Sequence, residues 1–363
     1  STATASGYGT YTLTSGTWAF TAGSTMQGLD ASEVVTDTFT VTASDSSTQQ
    51  VTITLTGAND APVFSDGGTA SASVEEGATT VATYAATDAD DGAALTYSVG
   101  GTDSALFAVA SSTGALTFST APDYDSGSAC EAGNSCVVIL TATSGSLTDT
   151  ITVTVAITDI NDNTPIFSDG ATASASVAEG ATTVATYAAT DADGSSAHNT
   201  VTYTNTGGAD TALFAVASST GALTFSTAPD YDSGSACEAG NSCVVILTAT
   251  SGSLTDTITV TVAITDINDN SPTDMALSAA SAAENAAVGA DIGTLSTTDG
   301  DASGNSHVYT LVTDSGGATA YSGTDFAIDS AVLEVGSSPS FDYESTTSYT
   351  VYVKVADGSN TAY

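Results

Sequence analysis

The chain has 363 residues, of which 41 are acidic and one, Lys354, is a lysine or arginine, so its formal net charge is −40. With no basic patch to neutralise phosphates, the composition excludes nucleic acids and anionic membrane surfaces as partners. Disorder is excluded as well, because only 12% of the residues are charged, 41% are hydrophobic and Val, Ile and Thr alternate in clean runs.

The length predicts two to four domains. So large an acidic excess predicts self-repulsion in a compact chain, and hence divalent counter-ions; the alternative interpretation is that the acidity serves only solubility. No apolar run approaches a membrane-spanning length. The opening residues 1–4 are neither a basic signal region nor a start Met, so we expect an excised or processed piece.

Residues 1–60 differ from the rest of the chain and predict two β-hairpins. Alternating aromatic and β-branched residues bounded by Gly and Ser carry this prediction. We expect the only tryptophan, Trp18, to lie inside the first hairpin. The four predicted strands are Tyr8–Leu13, Gly16–Phe20, Phe39–Ala43 and Val51–Leu55.

From residue 61 onward the chain repeats itself. Ala105–Asn163 and Ala212–Asn270 are the same string, and the stretches before them match apart from a short insertion around residues 194–200. Short strands with turn signals about every ten residues predict an all-β fold of tandem Greek-key, immunoglobulin-like sandwiches arranged end to end. The predicted domains are 1–60, 61–163, 164–270 and a diverged third copy, 271–363.

The four cysteines lie in two identical heptapeptides, Cys130–Cys136 and Cys237–Cys243. A disulfide within each heptapeptide would close a small loop and stabilise the fold by about 2–2.5 kcal/mol. Zinc is the alternative, but two thiols with no nearby histidine make a poor zinc site. Disulfides imply an oxidising, extracellular compartment.

An Asp/Asn-rich hexapeptide follows the predicted last strand of each near-identical copy, at Thr158–Asn163 and Thr265–Asn270. In an extended chain Asp159, Asn161 and Asn163 would face one way and Asp162 the other. Carboxylates and amide carbonyls are the ligands that hard cations such as Ca²⁺ prefer. The alternative is an Asn/Asp-rich turn between strands.

These motifs carry a family resemblance. The linker Asp-x-Asn-Asp-Asn-x-Pro, an early Glu, Asp-x-Asp and Asp-Tyr-Asp/Glu follow one another in residues 61–363 as they do in cadherin repeats of the bacterial kind. Residues 1–60, from Gly7-Tyr8-Gly9-Thr10-Tyr11 to Gly57-Ala58-Asn59-Asp60-Ala61-Pro62, resemble the second half of a VCBS repeat. Both modules are familiar from very long bacterial surface adhesins.

The resemblance implies calcium held between successive domains. For the junction of 61–163 with 164–270, the implied ligands are Glu76, Asp123, Asp125, Asp159, Asn161, Asp162, Asn163, Asp191, Asp193 and Asn199. For the next junction they are Glu179, Asp230, Asp232, Asp266, Asn268, Asp269, Asn270, Asp299, Asp301 and Asp357. After residue 60 only Asn59, Asp60, Asp88 and Asp90 match, so we expect fewer ions there.

The late acid Asp357 has serines as its counterparts in the two near-identical copies, at Ser144 and Ser251. The first full junction therefore lacks one carboxylate. We expect it to bind at least one ion more weakly than the second.

Little in the sequence supports catalysis. His198 and His307 stand alone in predicted loops, without a nucleophile partner. The carboxylate pairs fall on ion-ligand spacings rather than suggesting a glycosidase. We therefore predict no enzyme and no catalytic residue, with Ca²⁺ as the only cofactor.

The resemblance implies a non-enzymatic, calcium-rigidified extracellular stalk or fibre segment of a bacterial cell-surface adhesin, with filament formation as an option. Its expected partners are other copies of the chain or adjoining domains of a longer chain. The alternative is a polysaccharide-binding accessory module of a secreted protein, with surface glycans as partners and exposed aromatics on one sheet face. Against it, most aromatic residues alternate with small or polar ones, as core positions do: Tyr84, Phe107, Phe118 and Tyr124.

The third cadherin-like copy stops before the strand and linker that end its two siblings, and the VCBS-like segment starts at its middle. One interpretation is a window on a longer covalent chain. The other is that subunits of this length join end to end, each partial domain being completed by a neighbour's strand.

Overall fold

The computed structural model describes residues 2–90, 92, 94–126, 130–131, 133–233, 237–302, 306–358 and 360–362. The chain divides into two compact units, Ser1–Asn163 with Ala192–Thr200, and Thr164–Asp191 with Val201–Tyr363. The prediction of an all-β chain is confirmed, since helical structure in the described residues is confined to three short 3-10 turns. No helix among these residues is long and apolar enough to cross a membrane.

The first sixty residues form the two predicted hairpins. The strands are β1 (Thr2–Ala3), β2 (Gly9–Thr14), β3 (Thr17–Ala22), β4 (Val34–Thr42) and β5 (Thr48–Thr56), with a 3-10 turn at Ser24–Gly28. Strands β1, β2 and β3 make one antiparallel sheet, and β4 and β5 make another. Ser15 and Gly16 join β2 to β3 with positive φ angles, 53° and 81°, which is the backbone twist that a two-residue hairpin turn requires.

Trp18 does not lie inside, and that prediction is wrong: 43% of its surface is exposed. The buried ring is Phe39, which is 7% exposed. Tyr11 stacks on Phe39 with ring centroids 3.8 Å apart, and Trp18 leans on the same ring at 5.0 Å. Two small sheets, one of three strands and one of two, cannot cover three large rings, so Trp18 stays on the outer side of the cluster.

Residues 61–163 form a β-sandwich. Its strands are β6 (Val63–Phe64), β7 (Thr69–Glu75), β8 (Thr80–Thr83), β9 (Ala86–Thr87), β10 (Thr96–Gly100), β11 (Phe107–Val109), β12 (Ala115–Phe118), β13 (Ser135–Ser144) and β14 (Leu147–Thr158), with a 3-10 turn at Ser104–Leu106. One sheet has the order β10-β13-β14-β7, a second β11-β12-β8, and β6 pairs with β9. Strands β7 and β14 run parallel, with Val74 opposite Ile157.

Alternation along β13 and β14 builds the core. Every second residue of β14 from Ile151 to Ile157 is at most 4% exposed, because successive side chains of a strand face opposite sides. Each fully buried Val or Ile contributes about 1.5–3 kcal/mol. Tyr84, Phe107 and Phe118 join this core, as predicted.

Each cysteine heptapeptide is closed by a disulfide, Cys130–Cys136 and Cys237–Cys243, so no thiolate of these pairs remains for a metal. A buried carboxylate holds each loop in place. Asp103 accepts hydrogen bonds from the N–H groups of Glu131 at 2.9 Å and Val137 at 2.7 Å, and Asp210 does the same in the second copy.

The second unit begins with the same sandwich. Its strands are β15 (Ile166–Phe167), β16 (Thr172–Ala178), β17 (Thr183–Thr186), β18 (Ala189–Thr190), β19 (Thr202–Gly207), β20 (Phe214–Val216), β21 (Ala222–Phe225), β22 (Ser242–Ser251) and β23 (Leu254–Thr265), with a 3-10 turn at Thr211–Leu213. The main sheet has the order β16-β23-β22-β19, and β16 again runs parallel to the last strand.

Residues 271–362 form the third β domain. Its strands are β24 (Thr273–Leu277), β25 (Asp291–Thr298), β26 (Val308–Val312), β27 (Phe326–Asp329), β28 (Val332–Val335), β29 (Tyr352–Asp357) and β30 (Asn360–Ala362), arranged as β24-β25-β28-β27 and β26-β29-β30. The buried core is smaller here, centred on Ile292, Leu333 and Val335. A cavity of about 300 Å³ beside Leu295 and Val351 lies against this core.

One buried carboxylate organises residues 1–60. Asp37, on β4, is 0% exposed. It accepts hydrogen bonds from the N–H groups of Ser6 at 2.7 Å, Tyr8 at 3.0 Å and Thr38 at 2.8 Å, and from the Thr4 hydroxyl. Burial raises the pKa of Asp37, but these four donors outweigh it and hold the pKa at about 2.

We expect Asp37→Asn to destabilise residues 2–60 by about 3 kcal/mol, because the three N–H groups and the hydroxyl that now bond the carboxylate would lose their charged acceptor. Hydrogen exchange of the amides in β2, β4 and β5 should accelerate, while exchange in β13 and β22 stays unchanged. Since the folded pKa lies below the ordinary value of 3.8, the wild-type segment should lose this stabilisation as the pH falls from about 4 towards 2.

Asp45→Asn is the matched control, because Asp45 lies in the exposed turn between β4 and β5 and bonds only the nearby Ser47. It should leave exchange in β4 and β5 almost unchanged. Equal acceleration in both variants would contradict the anchoring role of Asp37.

Candidate metal centres

The parallel pairing of the strands β7 and β14 places the first centre. Both strands end at the same edge, where the Glu76 N–H bonds the Thr158 carbonyl at 3.0 Å. The Glu76 carboxylate, 5% exposed, accepts the N–H groups of Tyr124 at 2.7 Å and Ile160 at 2.9 Å. One buried acid therefore ties the linker after β14 to the Asp-Tyr-Asp loop.

Four aspartates gather around this anchor in the first unit. Carboxylate oxygens of Glu76, Asp123 and Asp125 lie within 4.8 Å of one another, and so do those of Asp125, Asp162 and Asp193. Asp125 belongs to both groups. Five of the ten sequence-predicted residues of this junction are thus brought together as two adjoining sets of oxygens.

The linker amides also contact this centre. Asn163 donates its side-chain N–H₂ to Asp125 at 2.7 Å and to Asp193 at 3.0 Å. Its backbone N–H bonds Asp193 as well, at 3.1 Å. Asn163 therefore presents its amide nitrogen to the acids, whereas the sequence predicted its oxygen as a ligand.

The inserted loop 194–200 covers the same centre. Asp159 accepts the Ser195 N–H at 2.9 Å through one oxygen, while its other oxygen is buried without a hydrogen-bond partner. The Asn161 side chain bonds the His198 carbonyl at 3.4 Å. Asn199 is exposed and bonds the Ser195 carbonyl through its N–H. Asp191 belongs to the second unit.

The second unit contains a copy of this centre. Glu179 accepts the N–H groups of Tyr231 at 2.6 Å and Ile267 at 2.8 Å. Asp230 caps the Ser233 N–H at 2.9 Å. The oxygens that approach within 4.8 Å form two sets, Glu179 with Asp232 and Asp266, and Asp232 with Asp269 and Asp301.

The amide of Asn270 has the same position as that of Asn163 in the first unit. It donates to Asp232 at 2.7 Å and to Asp301 at 3.0 Å. The two centres therefore share their hydrogen bonds as well as their sequence.

The far side of the second centre is formed by the third domain. Asn268 donates to the Asp357 backbone carbonyl at 2.9 Å, and Asn360 donates to the Asn268 side-chain oxygen at 2.6 Å. Asp299 lies 3.0 Å from His307. Asn360 was missed by the sequence analysis because no motif of the resemblance includes it.

The centre after residue 60 is the smallest. Asp60 donates its N–H to Asp90 at 2.8 Å, and Asn59 donates to the Ser144 carbonyl at 3.1 Å. Asp88 and Asp90 each keep one buried oxygen without a hydrogen-bond partner.

The carboxylates of these centres repel one another. Burial raises the pKa of Asp232 to about 6, and the charges of Asp266, Glu179 and Asp301 add to the shift. Burial likewise raises the pKa of Asp125, with Asp159, Glu76 and Asp193 contributing. A group that resists ionisation among like charges is stabilised by a bound cation.

The donor set fits calcium. Each full centre offers carboxylate oxygens in clusters, with backbone and amide carbonyls nearby, and Ca²⁺ takes six to eight oxygen ligands. One buried oxygen of Asp159 lacks a hydrogen-bond partner and is therefore available as a ligand for a cation. Lys354 is the chain's only lysine or arginine, so the chain's fixed positive charge cannot balance these sites.

Comparisons with known proteins agree with the fold and the motifs. No protein-family model matches the chain. Human protocadherin Fat 1 is 33% identical over 221 residues, which is 58% of this chain and 4% of that protein. Human protocadherin-1 is 30% identical over 367 residues, which is 92% of this chain and 33% of that protein. The chain thus spans a third or less of these relatives.

Solved structures show the same fold. The protocadherin gamma B4 extracellular domain matches with a TM-score of 0.67 at 21% identity, covering 95% of this chain and 55% of that one. Mouse cadherin-23 EC22-24 matches with a TM-score of 0.59 at 23% identity, covering 84% of this chain and 97% of that one.

These comparisons decide several predictions. The tandem β-sandwich fold is confirmed. The predictions of a non-enzymatic chain and of an extracellular setting agree with these relatives, which are cadherins and protocadherins. The chain is built of tandem cadherin-like repeat domains.

Proposed function

We propose that the acidic centres bind Ca²⁺ and that the chain is a calcium-rigidified segment of an extracellular adhesion protein. The observation that carries this proposal is the clustering of Glu179, Asp232, Asp266, Asp269 and Asp301 where one repeat passes into the next. Without a cation these oxygens repel one another. With a bound cation, the same oxygens would join the linker to the repeats before and after it in the second unit.

The proposed ligand sets keep residues that the sequence predicts. In the second unit they are Glu179, Asp230, Asp232, Asp266, Asn268, Asp269, Asn270, Asp299, Asp301 and Asp357. In the first unit they are Glu76, Asp123, Asp125, Asp159, Asn161, Asp162, Asn163 and Asp193, with fewer ions expected near Asn59, Asp60, Asp88 and Asp90. We propose two to three ions for each full centre, because a single divalent ion cannot neutralise so many carboxylates.

The finer predictions from the sequence are part of this proposal. They are a bacterial source, a VCBS-like first segment, a stalk or filament role and the domain limits 1–60, 61–163, 164–270 and 271–363. The named relatives are animal protocadherins, which supports adhesion without naming a source. Protocadherin gamma B7 has been solved as a cis dimer, and we propose another copy of the chain or an adjoining domain as the partner here.

Glycan binding is a second candidate for residues 1–60 alone. The indole of Trp18 is 43% exposed and lies beside Tyr11 and Phe39, as a sugar-stacking platform requires. In the repeats the predicted core rings Tyr84, Phe107 and Phe118 are buried. The role as a segment of an extracellular adhesion protein therefore has broader support than glycan binding.

We expect Glu179→Gln to weaken calcium binding at the second centre, because Glu179 provides a buried carboxylate and holds the linker in place. Isothermal titration of the full chain should show fewer tight sites or at least about tenfold weaker binding there. Glu76→Gln should produce the matching loss at the first centre. Asp329→Asn, on an exposed strand end, is the control and should bind as wild type does. Absence of calcium uptake by the wild-type chain at millimolar calcium would contradict the proposal.

The raised pKa of Asp232 gives the calcium-free chain an unusual pH dependence. Its folded value of about 6 lies above the ordinary 3.8, so proton binding favours the folded form. In chelator, the urea midpoint of the second unit should rise as the pH falls from 7 towards 5. In calcium the trend should reverse, because protons compete with the ion for the same oxygens.

Asp232→Asn separates these two effects. At pH 7 it should stabilise the chain in chelator, since it removes a repelled charge, and destabilise it in calcium, since it removes a ligand. A variant that is destabilised equally in both conditions would show that Asp232 has only a structural role.

Calcium should also stiffen the chain. Small-angle scattering of the full chain should give a larger maximum dimension in calcium than in chelator. Bound calcium would neutralise the carboxylates and fix the linker between adjacent repeats, whereas without calcium the carboxylates repel one another and the linker can bend. Glu179→Gln should shorten the calcium-loaded dimension, whereas Asp329→Asn should not. Equal dimensions with and without calcium would argue against rigidification while leaving ion binding intact.

A further inference from the structure

The two full centres share their linker but differ in the loop that begins the next repeat. Residues 105–163 and 212–270 are the same string, so both centres receive the same linker and the same Asp-Tyr-Asp motif. The loop reads Ala192-Asp193-Gly194 at the first centre and Gly300-Asp301-Ala302 at the second. The glycine therefore follows the aspartate in one loop and precedes it in the other.

At the first centre this loop reaches Asp125 through its backbone. The N–H group of Gly194 donates to the Asp125 Oδ1 atom, and the Asn163 amide donates to the Oδ2 atom at 2.7 Å. The next N–H group, that of Ser195, donates to Asp159 at 2.9 Å. Both oxygens of Asp125 thus accept an N–H hydrogen, and two successive backbone N–H groups bond two acids of the same centre.

The approach of the loop to Asp125 leaves no space for a side chain at position 194. A Cβ atom there would lie 2.8 Å from the Tyr124 ring and 3.0 Å from the Asp125 Oδ1 atom. Tyr124 is held in place, because it packs against the core of the repeat and its backbone N–H bonds Glu76 at 2.7 Å. Gly194 does not have a left-handed φ, so the glycine is needed for space rather than for backbone conformation.

The second centre differs at this contact. Ala302 takes the place of Gly194 and carries a Cβ atom. Within the described residues, Asp232 accepts an N–H hydrogen bond from one group, the Asn270 amide, at 2.7 Å. The glycine of that loop, Gly300, lies against Asn270 instead, since a Cβ atom there would be 3.2 Å from the amide carbon. The equivalent acids of the two centres therefore differ by one backbone N–H donor.

We propose that Gly194 lowers the calcium affinity of the first centre, because its N–H group competes with the ion for Asp125. The inference rests on the proposed calcium function and adds a residue that sets its affinity. Asp125 belongs to both oxygen sets of this centre, so an ion in either set would use a carboxylate that already accepts two hydrogens. A cation repels the positive end of an N–H dipole, so one of the two contacts has to weaken. The second centre should therefore fill at lower calcium than the first.

The test is an isothermal calcium titration of the full chain carrying Glu179→Gln, in which the second centre is weakened. Adding Gly194→Ala should tighten calcium binding at the first centre by about tenfold, the factor expected for one hydrogen bond to a charged group. This variant changes no proposed ligand, so its effect is separate from the carboxylate that Asp357 adds to the second centre. Gly68→Ala is the matched control and should leave the affinity unchanged, because no atom lies within 4 Å of a Cβ at that position.

Nuclear magnetic resonance of the wild-type chain with ¹⁵N-labelled glycine checks the hydrogen bond directly. The Gly194 amide proton, identified by its loss in Gly194→Ala, should move upfield as calcium binds, because its hydrogen bond to Asp125 weakens. An amide proton that does not move would overturn the inference, as would a Gly194→Ala affinity equal to or weaker than that of its parent. Absence of calcium uptake by the wild-type chain would overturn the proposed function as well, whereas uptake with equal affinity would overturn this inference alone.

Discussion

The parallel pairing between an early strand and the last strand of a repeat is the constraint on which the metal centres depend. Strands β7 and β14 end together, so Glu76 emerges beside the linker and bonds the Ile160 N–H. Strands β16 and β23 repeat this arrangement around Glu179. Shifting that register by one residue would turn the core side chains of the last strand to the surface and move the acid away from its linker. The apolar alternation therefore fixes the geometry of the polar site.

Much of this could be predicted from the sequence because the signals are local and periodic. The strands of the sandwich follow alternating Val, Ile and Thr, and the acids of both full centres lie in short motifs. The burial of Trp18 was predicted wrongly, because alternation shows which residues share a face but not whether a second layer covers it. Asn360 was missed, since it reaches its centre only through the tertiary fold. The donor role of Asn163 depends on an amide orientation that no spacing reveals.

The third domain shows how the same plan tolerates divergence. Its buried core centres on Ile292, Leu333 and Val335, whereas the second repeat buries one whole face of a long hairpin around Val245 and Val260. Yet Asp301 still accepts the Asn270 N–H at 3.1 Å, as Asp193 accepts that of Asn163. These hydrogen bonds to the linker are therefore kept although the core differs, because they need only one aspartate placed beside the linker at the end of a strand.

Electrostatic strain in the metal-free chain is confined to the ends of the repeats. The core residues Ile151, Val153 and Val155 are 0% exposed and apolar, so the sandwich interior holds no carboxylate of the acidic centres. The acids instead surround the amides of Asn163 and Asn270, whose N–H₂ groups supply a partial positive charge where a cation would supply a full one. These amides lower the repulsion among the carboxylates, but each donates only two hydrogens. Loss of calcium should therefore loosen a linker long before it unfolds the domains on either side.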